Sequence, residues 1–422
     1  MGLTLVEMQV TEQGLPISGH GNRTGRWHLL VLLLFAVALG CRQRAGIWIL
    51  VPMITKELRL TFIEVGYVIA SFTIASTAGF LLMAVFIWRE KSWLGYAVLG
   101  IFGVLGALLT GASSGLSGLI VAQGIAGLAY GGLLLGTYCI VGGWLPRKSH
   151  GLAIGLVFAV TQSAAPLTPI ITAEAVTHVG WRWSSQVVAA LWFLWLLLWI
   201  WLSRRSGNIL RRESNRRPVT LAQMFKGPVT WAVVVGVALA NPLLSFQSGR
   251  LLNHASEVLK SDRPAAQWEF ALLAFLPAMA AVAAGLISDA LIRKGWSVGK
   301  SRTVLVTICG LLMSFPALFA FSRDPIIYPL VAMLSVTAGQ GLVATLYTAL
   351  VDAAPGRGII LGAGLSGWLG GLMGNVANLM TEPVSSRWGS EPLLIGFAIL
   401  TLIATLCVRR LIRKMPAELV PA

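Results

Sequence analysis

Long apolar segments, separated by short polar ones, recur along the whole sequence. Twelve of them are about 20 residues long or longer, which is enough for a helix to cross a hydrocarbon core about 30 Å thick. They cover residues 27–51, 62–88, 94–113, 116–141, 150–176, 185–203, 228–252, 268–292, 303–322, 326–351, 358–382 and 392–412. The pattern therefore predicts an all-α integral membrane protein with twelve transmembrane helices.

Composition and charge agree with a protein that spans a lipid bilayer. Of the 422 residues, 56% are hydrophobic and only 11% are charged, against about 25% in soluble domains. If the N-terminus lies inside, 22 of the 32 lysines and arginines lie on the inner side, including Arg409 and Arg410 at the end of the last span, and 7 lie in outside loops. This positive-inside asymmetry predicts cytoplasmic termini, and the net charge of +16 then reflects topology rather than a nucleic-acid partner. The first 25 residues lack the apolar core of a signal peptide and are expected to form a cytoplasmic tail.

The sequence indicates neither a metal site nor a nucleotide site. All the cysteines lie within predicted spans, without a CxxC pair or a Cys/His spacing, so no disulfide framework, metal or other cofactor is expected. The letters GKS at 299–301 resemble the end of a phosphate-binding loop, but Lys294 stands where that loop requires glycine. No nucleophile, base and orienting group share a plausible site, so an enzyme is not expected either. The cysteines are Cys41, Cys139, Cys309 and Cys407.

The longest polar connection divides the spans into two groups of six. Residues 203–228 contain six arginines and one lysine. A basic loop at this place suggests two duplicated halves with a binding site between them, near the bilayer midplane. The alternative is an ordinary long loop in an unduplicated bundle. The expected domains are a tail (1–26), a first half (27–203), a cytoplasmic linker (204–227), a second half (228–412) and a cytoplasmic tail (413–422).

Three stretches carry a resemblance to a known family. They are GLISDALIRKGWSVGKSR at 285–302, GWLPRKSHGLAIG at 143–155 and GWRWSSQVVAALWFLWLLLWIWL at 180–202. The first resembles the Gly-x-x-x-Asp loop signature of the major facilitator superfamily, and the others resemble the fourth-to-fifth and fifth-to-sixth helix regions of its members. Within this superfamily the chain is most similar to the anion:cation symporter group, which moves organic anions such as sugar acids. The resemblance covers nearly the whole chain and implies a monomeric transporter with two pseudo-symmetric six-helix halves.

Asp289, in the first of these stretches, lies at the expected cytoplasmic end of its span. There a carboxylate can accept hydrogen bonds from a helix N-terminus or from an arginine of a neighbouring helix, and so hold an inward gate shut in one state. We therefore predict that Asp289, Arg293 and Arg302 form a gate. The alternative is that these residues, with Lys294 and Lys300, only anchor the loop at the headgroups. The corresponding loop of the first half, AVFIWREKSWLG, lacks the aspartate, so the gate is expected to be asymmetric.

Besides Arg409 and Arg410 at the end of the last span, three arginines fall inside predicted spans. Arg42 and Arg44 are two residues apart, about 200° around a helix, so one cavity can hardly receive both. Arg44 lies about 25 Å along its helix from Trp27, where snorkelling to the outer headgroups is an alternative role. In the resembled group, Arg44 matches the arginine of an Asp-Arg pattern in the first helix, and Arg250 resembles a seventh-helix arginine of vesicular anion carriers. We predict that Arg44 and Arg250 bind one anion between the halves and that Arg42 has an interfacial or packing role.

Other positions depart from the resembled group. Gln43 stands where its members have an aspartate, and Gln123 and Tyr130 stand where they have an arginine and a glutamate. In those symporters the carboxylates carry the coupling proton, because a buried acid can titrate near neutral pH. Glutamine and tyrosine cannot replace them, so proton symport by this route is not expected. The remaining acids in or beside the spans lie near span ends, where salt-bridge or headgroup roles are expected; they include Glu64, Glu174, Asp352 and Glu382.

Several polar residues inside the spans are candidates for lining a substrate cavity. The alternative for each is a hydrogen bond between two helices. Two glycine-rich stretches, 124–136 and 358–375, predict close helix packing through small residues. The candidate lining residues are Gln43, Gln123, Tyr130, Gln162, Asn241, Gln247 and Asn375.

We therefore expect a transporter in a bacterial inner membrane. The predicted substrate is a small organic anion, a carboxylate or sugar acid, moved by alternating access in a secondary active or facilitative way. One alternative is an exporter of drug-like or siderophore molecules with the same fold, in which the arginines are structural. Another is a transporter-like sensor that binds a ligand without moving it.

Overall fold

The computed structural model describes residues 23–89, 91–205, 227–260, 266–321, 327–353 and 358–413. This part of the chain is helical almost throughout. Its α-helices are α1 (Arg23–Leu58), α2 (Phe62–Trp88), α3 (Ser92–Ala112), α4 (Leu116–Trp144), α5 (His150–Arg205), α6 (Pro228–Lys260), α7 (Ala266–Arg293), α8 (Val298–Ser314), α9 (Ile327–Ala353), α10 (Gly358–Trp388) and α11 (Glu391–Ile412). Short 3-10 helices precede α5 at Arg147–Ser149 and follow α8 at Phe315–Phe319. The predicted linker and both predicted tails lie almost entirely outside the described residues.

Gly180 divides α5 into two arms. Its backbone angles, φ 77° and ψ 163°, belong to a region that favours glycine, because a Cβ atom would clash there. We refer to residues 150–179 as α5a and to residues 181–205 as α5b. The two arms correspond to the fifth and sixth predicted spans.

Within the described residues, eleven helical segments are long and apolar enough to cross a membrane. They coincide with eleven of the predicted spans. The twelfth, predicted at 150–176, falls on α5a, where the side chains of 169–179 are outside the described part of the chain. The all-α membrane architecture predicted from the sequence is confirmed.

The helices pack in two groups, α1–α5 and α6–α11, which we call the first and second halves. In the first half α2 packs against α4, and in the second half α7 packs against α9 at the equivalent place. Helix α6 packs against α10 and α11. The main contact between the halves is made by α5 and α7.

The glycine-rich stretches allow close contact between helices, as predicted. In the 124–136 stretch of α4, a Cβ atom at Gly131 would lie 1.9 Å from the backbone oxygen of Ser76 in α2. In α10, a Cβ atom at Gly374 would lie 2.5 Å from the hydroxyl oxygen of Ser245 in α6. A larger side chain at Gly131 would push α4 and α2 apart, whereas at Gly374 the Ser245 hydroxyl would have to turn away.

Three fully buried tryptophans, Trp192, Trp195 and Trp199, join α5b to α1 and α3. They are spaced three and four residues apart, so they lie on one face of the helix. Opposite them, Gly100 and Gly103 of α3 leave room for the rings, since a Cβ atom at Gly103 would lie 2.5 Å from Trp192. Each indole N–H donates a hydrogen bond: Trp192 to Gln43 Oε1 (2.9 Å), Trp195 to the Leu32 carbonyl (2.7 Å) and Trp199 to the Trp93 carbonyl (3.1 Å).

A polar cluster joins the same helices where α1 ends. Glu57 Oε2 accepts from the Trp181 indole at 2.6 Å, and Glu57 Oε1 accepts from Arg182 Nη2 at 2.8 Å. Arg182 also donates to the backbone oxygens of Gly111 at 3.2 Å and Ser113 at 2.6 Å, at the end of α3. The hydrogen bonds from Trp181 and Arg182 hold the pKa of the Glu57 carboxyl below its ordinary value.

Candidate functional site

A buried carboxylate of the second half closes the N-terminus of a first-half helix. Helix α5 begins at His150, directly after the 3-10 turn. Asp289 of α7 accepts hydrogen bonds from the backbone N–H groups of Gly151 at 3.1 Å and Leu152 at 2.8 Å. These N–H groups have no partner within their own helix, and the positive end of the helix dipole favours a carboxylate there.

The same carboxylate belongs to a larger charged network between the halves. Arg302 of α8 donates to Asp289 Oδ1 from Nη1 at 3.3 Å and from Nη2 at 3.2 Å, and also contacts the Ser288 hydroxyl. Its Nε donates to Asp352 Oδ2 of α9 at 2.9 Å. The other oxygen of Asp352 lies 2.7 Å from His150 Nδ1. We call His150, Asp289, Arg302 and Asp352 the gate network, after the two predicted gate residues that it contains, Asp289 and Arg302. Their side chains are at most 3% exposed.

The structure places the predicted gate residues in different ways. For Asp289 the sequence left open a helix N-terminus or an arginine as partner, and the structure shows both. Arg302 lies at the centre of the network. Arg293 instead donates from Nε to the backbone oxygen of Asp289 at 3.3 Å, at the end of its own helix. Asp352 pairs with Arg302, in the salt-bridge role expected for an acid near a span end.

His150 is the network residue that sequence reasoning missed. It pairs with a residue 202 positions away in the other half, and no spacing or motif in either stretch indicates that contact. The available signal was a histidine at the start of a predicted span, inside the stretch at 143–155 that resembled the fourth-to-fifth helix region of the family.

Around the gate network, the two halves meet through their backbones. A Cβ atom at Gly285 of α7 would lie 2.1 Å from the backbone oxygen of Gly151 in α5a. One turn further along α5a, a Cβ atom at Gly155 would lie 2.7 Å from the backbone oxygen of Ala281. The crossing of α5a and α7 therefore depends on glycine at each of these positions.

Aromatic side chains from both halves pack next to the network. The ring of Tyr347 in α9 lies 5.0 Å from that of Tyr138 in α4 and 5.3 Å from that of Phe158 in α5a. The Ser366 hydroxyl of α10 donates to the Tyr347 hydroxyl at 3.0 Å. These residues lie within about 15 Å of the helix ends that carry the gate network, at 1.5 Å per residue. We call that end of the molecule the network end; there the contacts described here join the two halves.

Arg44 lies farther from the network end, on a face of α1 that it shares with Val37 and Cys41. These two residues pack with Phe72 and Tyr130, whose hydroxyl lies close enough to the Arg44 guanidinium for electrostatic contact. Tyr130 is eight residues, or about 12 Å along α4, beyond the aromatic cluster. The Arg44 side chain is exposed, and no carboxylate of the described residues pairs with it.

Arg42 faces another part of the structure. Its Nη2 donates to the Ser184 hydroxyl of α5b at 2.7 Å, and its side chain is partly buried beside Gly46. This contact agrees with the packing role predicted for Arg42. The two arginines therefore separate around α1, as helical geometry requires.

The other predicted lining residues differ in how far they are buried. Three glutamines are buried between helices: Gln43 accepts from Trp192, Gln123 donates from Nε2 to Thr110 Oγ1 at 3.3 Å, and Gln247 has no hydrogen-bond partner among the described residues. Gln43 Nε2 and Gln123 Oε1 also lack such a partner. Gln162 and Asn241 are partly buried, and Asn375 is exposed. The side chains of Arg250, Glu174 and Glu382 lie outside the described residues.

Comparisons with known proteins agree with this arrangement. Residues 30–374 match the family described as the Major Facilitator Superfamily. The hexuronate transporter of Escherichia coli K12 is 21% identical over 93% of this chain and 95% of its own length. The D-galactonate transporter of E. coli O6:H1 is 24% identical over 93% and 96%. Among solved structures, the proton:xylose symporter XylE has a TM-score of 0.67 at 12% identity, over 90% of this chain and 94% of its own.

Proposed function

Because the chain belongs to the major facilitator superfamily, we propose that it carries a small organic anion, a carboxylate or sugar acid, across a bacterial inner membrane by alternating access. The observation that carries the proposal is Arg44, an exposed guanidinium inside a membrane-spanning helix without a described carboxylate partner. A charge at that depth is energetically costly, and charged residues in membrane spans usually mark substrate or ion pathways. Two relatives named for hexuronate and D-galactonate support a sugar acid as the substrate class.

Arginine suits this role for a geometric reason. Its planar guanidinium meets a carboxylate through two parallel hydrogen bonds, which a lysine cannot form. The Tyr130 hydroxyl beside it can donate to the same carboxylate or accept from a sugar hydroxyl. Arg250 would complete the site from the second half, as a second positive charge at comparable depth.

Alternating access assigns the two ends of the molecule different roles. The loops at the network end belong to the set that holds most of the arginines and lysines, so we assign this end to the cytoplasm. The structure then represents a state closed to the cytoplasm, in which the anion reaches Arg44 from the outer side. The halves at 27–203 and 228–412 would move as units about this site, with a single chain sufficient for transport.

Opening at the network end requires several contacts to break together. Asp289 leaves the N-terminus of α5, and the aromatic cluster separates. An anion can promote this change only by binding the open state, or the path to it, more tightly than the closed state. By neutralising Arg44, the anion would remove an uncompensated charge from the moving interface.

Charge also limits how transport can be driven. Carrying one net negative charge inward costs about 2.3 kcal/mol per 100 mV of inside-negative potential. Gln43, Gln123 and Tyr130 provide no carboxylate near Arg44 to bind a coupling proton. We propose facilitated flow, exchange of anions, or a co-transported cation bound elsewhere.

Uptake into proteoliposomes tests the proposal. Labelled D-galactonate and a hexuronate are offered to wild type, Arg44→Ala and Arg44→Lys, with Arg410→Ala, an exposed arginine at the end of α11, as the matched control. We expect Arg44→Ala to reduce uptake about 10- to 100-fold, Arg44→Lys to fall between, and the control to equal wild type. Equal anion uptake by Arg44→Ala, or efflux of drug-like cations without anion uptake, would contradict the proposal.

A further inference from the structure

Both ring nitrogens of His150 face oxygen atoms. Nδ1 lies 2.7 Å from Asp352 Oδ1, and Nε2 lies 2.9 Å from the backbone oxygen of Leu145. A carboxylate and a carbonyl only accept hydrogen bonds, and a neutral imidazole has a single N–H to donate. An imidazolium satisfies both contacts at once. The closed geometry therefore calls for one proton more than a neutral histidine beside an ionised aspartate would hold.

The balance of buried charges also calls for one added proton. The gate network contains two carboxylates, Asp289 and Asp352, and one guanidinium, Arg302. With a neutral His150 the buried network has a net charge of −1, and with one added proton it is neutral. A buried charge without compensation is strongly unfavourable.

The added proton belongs to the His150–Asp352 pair as a whole. Arg302 donates to the second oxygen of Asp352, which favours the ionised carboxylate and the proton on His150. The described charged groups that face this pair from neighbouring helices are Arg302 of α8 and Asp289 of α7. On its own side of the contact, Arg147 and Lys148 precede His150 in the 3-10 turn.

We propose that His150 is a proton-binding site that is filled when the gate network closes and emptied when it opens. This inference rests on the proposed alternating access, because only opening exposes His150 to the solution at the network end. On opening, the imidazole leaves both of its acceptors and the buried charges that the added proton neutralises, so these contacts no longer hold the proton. The proton arrives and leaves at the same end, so no proton crosses the membrane.

The sign of the pH effect follows from linkage. The closed state binds one proton more than the open state, so acid at the network end favours the closed state and alkali favours the open one. For one proton, the ratio of closed to open molecules changes by at most about tenfold per pH unit. The solution on the network side would thus set the fraction of transporters that can open.

Distances between two spin labels test this without any substrate. Lys148 and Lys294 are exposed, lie on opposite halves at the network end, and are replaced by cysteine for labelling. Cys407, which is exposed, is replaced by serine, whereas Cys41, Cys139 and Cys309 are buried and stay. The distance distribution of the purified protein is recorded from pH 6 to pH 8.

In otherwise wild-type protein we expect the closed-to-open ratio to fall about fivefold or more between pH 6 and pH 8. The His150→Gln variant keeps a donor for Asp352 but cannot be protonated, so its ratio should be low and change less than about twofold. The double variant His150→Gln with Asp352→Asn restores charge balance, and should be closed at both pH values.

Three outcomes would overturn the inference: a wild-type ratio that does not change with pH, a His150→Gln variant with unchanged pH dependence, or a double variant as open as the single one. The labels report the gate, whereas uptake reports the substrate. A pH-dependent gate in a protein that takes up no organic anion would therefore leave this inference standing while the proposed substrate class fell.

Discussion

At the scale of single residues, α1 shows how neighbours in sequence acquire different roles. Arg42 donates to Ser184 on α5b, Gln43 accepts from Trp192 on the same arm, and Arg44 is exposed beside Tyr130. The first two contacts fix the rotation of α1 against α5b. That rotation directs Arg44 toward the face shared with α4, so the candidate anion ligand is positioned by its neighbours.

Trp192→Phe tests this positioning at one hydrogen bond. The variant leaves the buried Gln43 amide without its donor, which we expect to lower the free energy of unfolding by about 1–3 kcal/mol. Adding Gln43→Met replaces both polar partners by apolar atoms, so the double variant should lose less than the sum of the single losses. Thermal unfolding of Trp192→Phe, Gln43→Met and the double variant measures these losses. Strictly additive losses would show that the hydrogen bond from Trp192 to Gln43 does not contribute to stability.

Sequence reasoning reached the residues of this site unevenly. The 200° rotation between Arg42 and Arg44 follows from helical geometry alone, so their separation was predictable. The partner of Gln43 was not, because Trp192 lies 149 residues away and only the packed helices bring the two together. The same holds for His150 and Asp352, whose contact joins two halves that the sequence shows only as separate groups of spans.

At the scale of elements, the interface between the halves depends on how closely α5a and α7 cross. Gly151 and Gly285 bring the two backbones into contact, and this closeness lets Asp289 reach the N–H groups at the start of α5. The apolar pattern predicted these helices and the glycine-rich stretches predicted close packing elsewhere. The apolar pattern also predicted an interruption between the spans at 150–176 and 185–203, and Gly180 lies in that interruption. It did not single out Gly180 as the place of the break, because the letters around a glycine do not specify its backbone angles.

Gly285→Ala tests the crossing. The added methyl group would lie 2.1 Å from the backbone oxygen of Gly151, so α7 must move away from α5a and the gate network cannot close. We expect the Lys148–Lys294 label pair to shift to longer distances, with uptake reduced about tenfold or more. Gly371→Ala is the control, since a Cβ atom there meets nothing within 4 Å. A Gly285→Ala protein with wild-type label distances would contradict this description of the interface.

At the scale of the whole molecule, the gate and the candidate anion site lie at different depths. The charged network, the glycine crossing and the aromatic cluster lie together near the network end, while Arg44 and Tyr130 lie about 12 Å or more beyond them. In the proposed mechanism, an anion bound at Arg44 would therefore act on the gate network through movement of the halves rather than through direct contact. This separation is what alternating access requires, because a ligand site must be reachable while the gate behind it is closed.

Equilibrium binding of D-galactonate and a hexuronate to the purified protein, measured by calorimetry, tests the role of Arg44 most directly. Wild type should bind at least one of these anions, Arg44→Ala should bind it about 10- to 100-fold more weakly, and Arg410→Ala should match wild type. Binding of equal strength in Arg44→Ala and wild type would show that the anion site lies elsewhere.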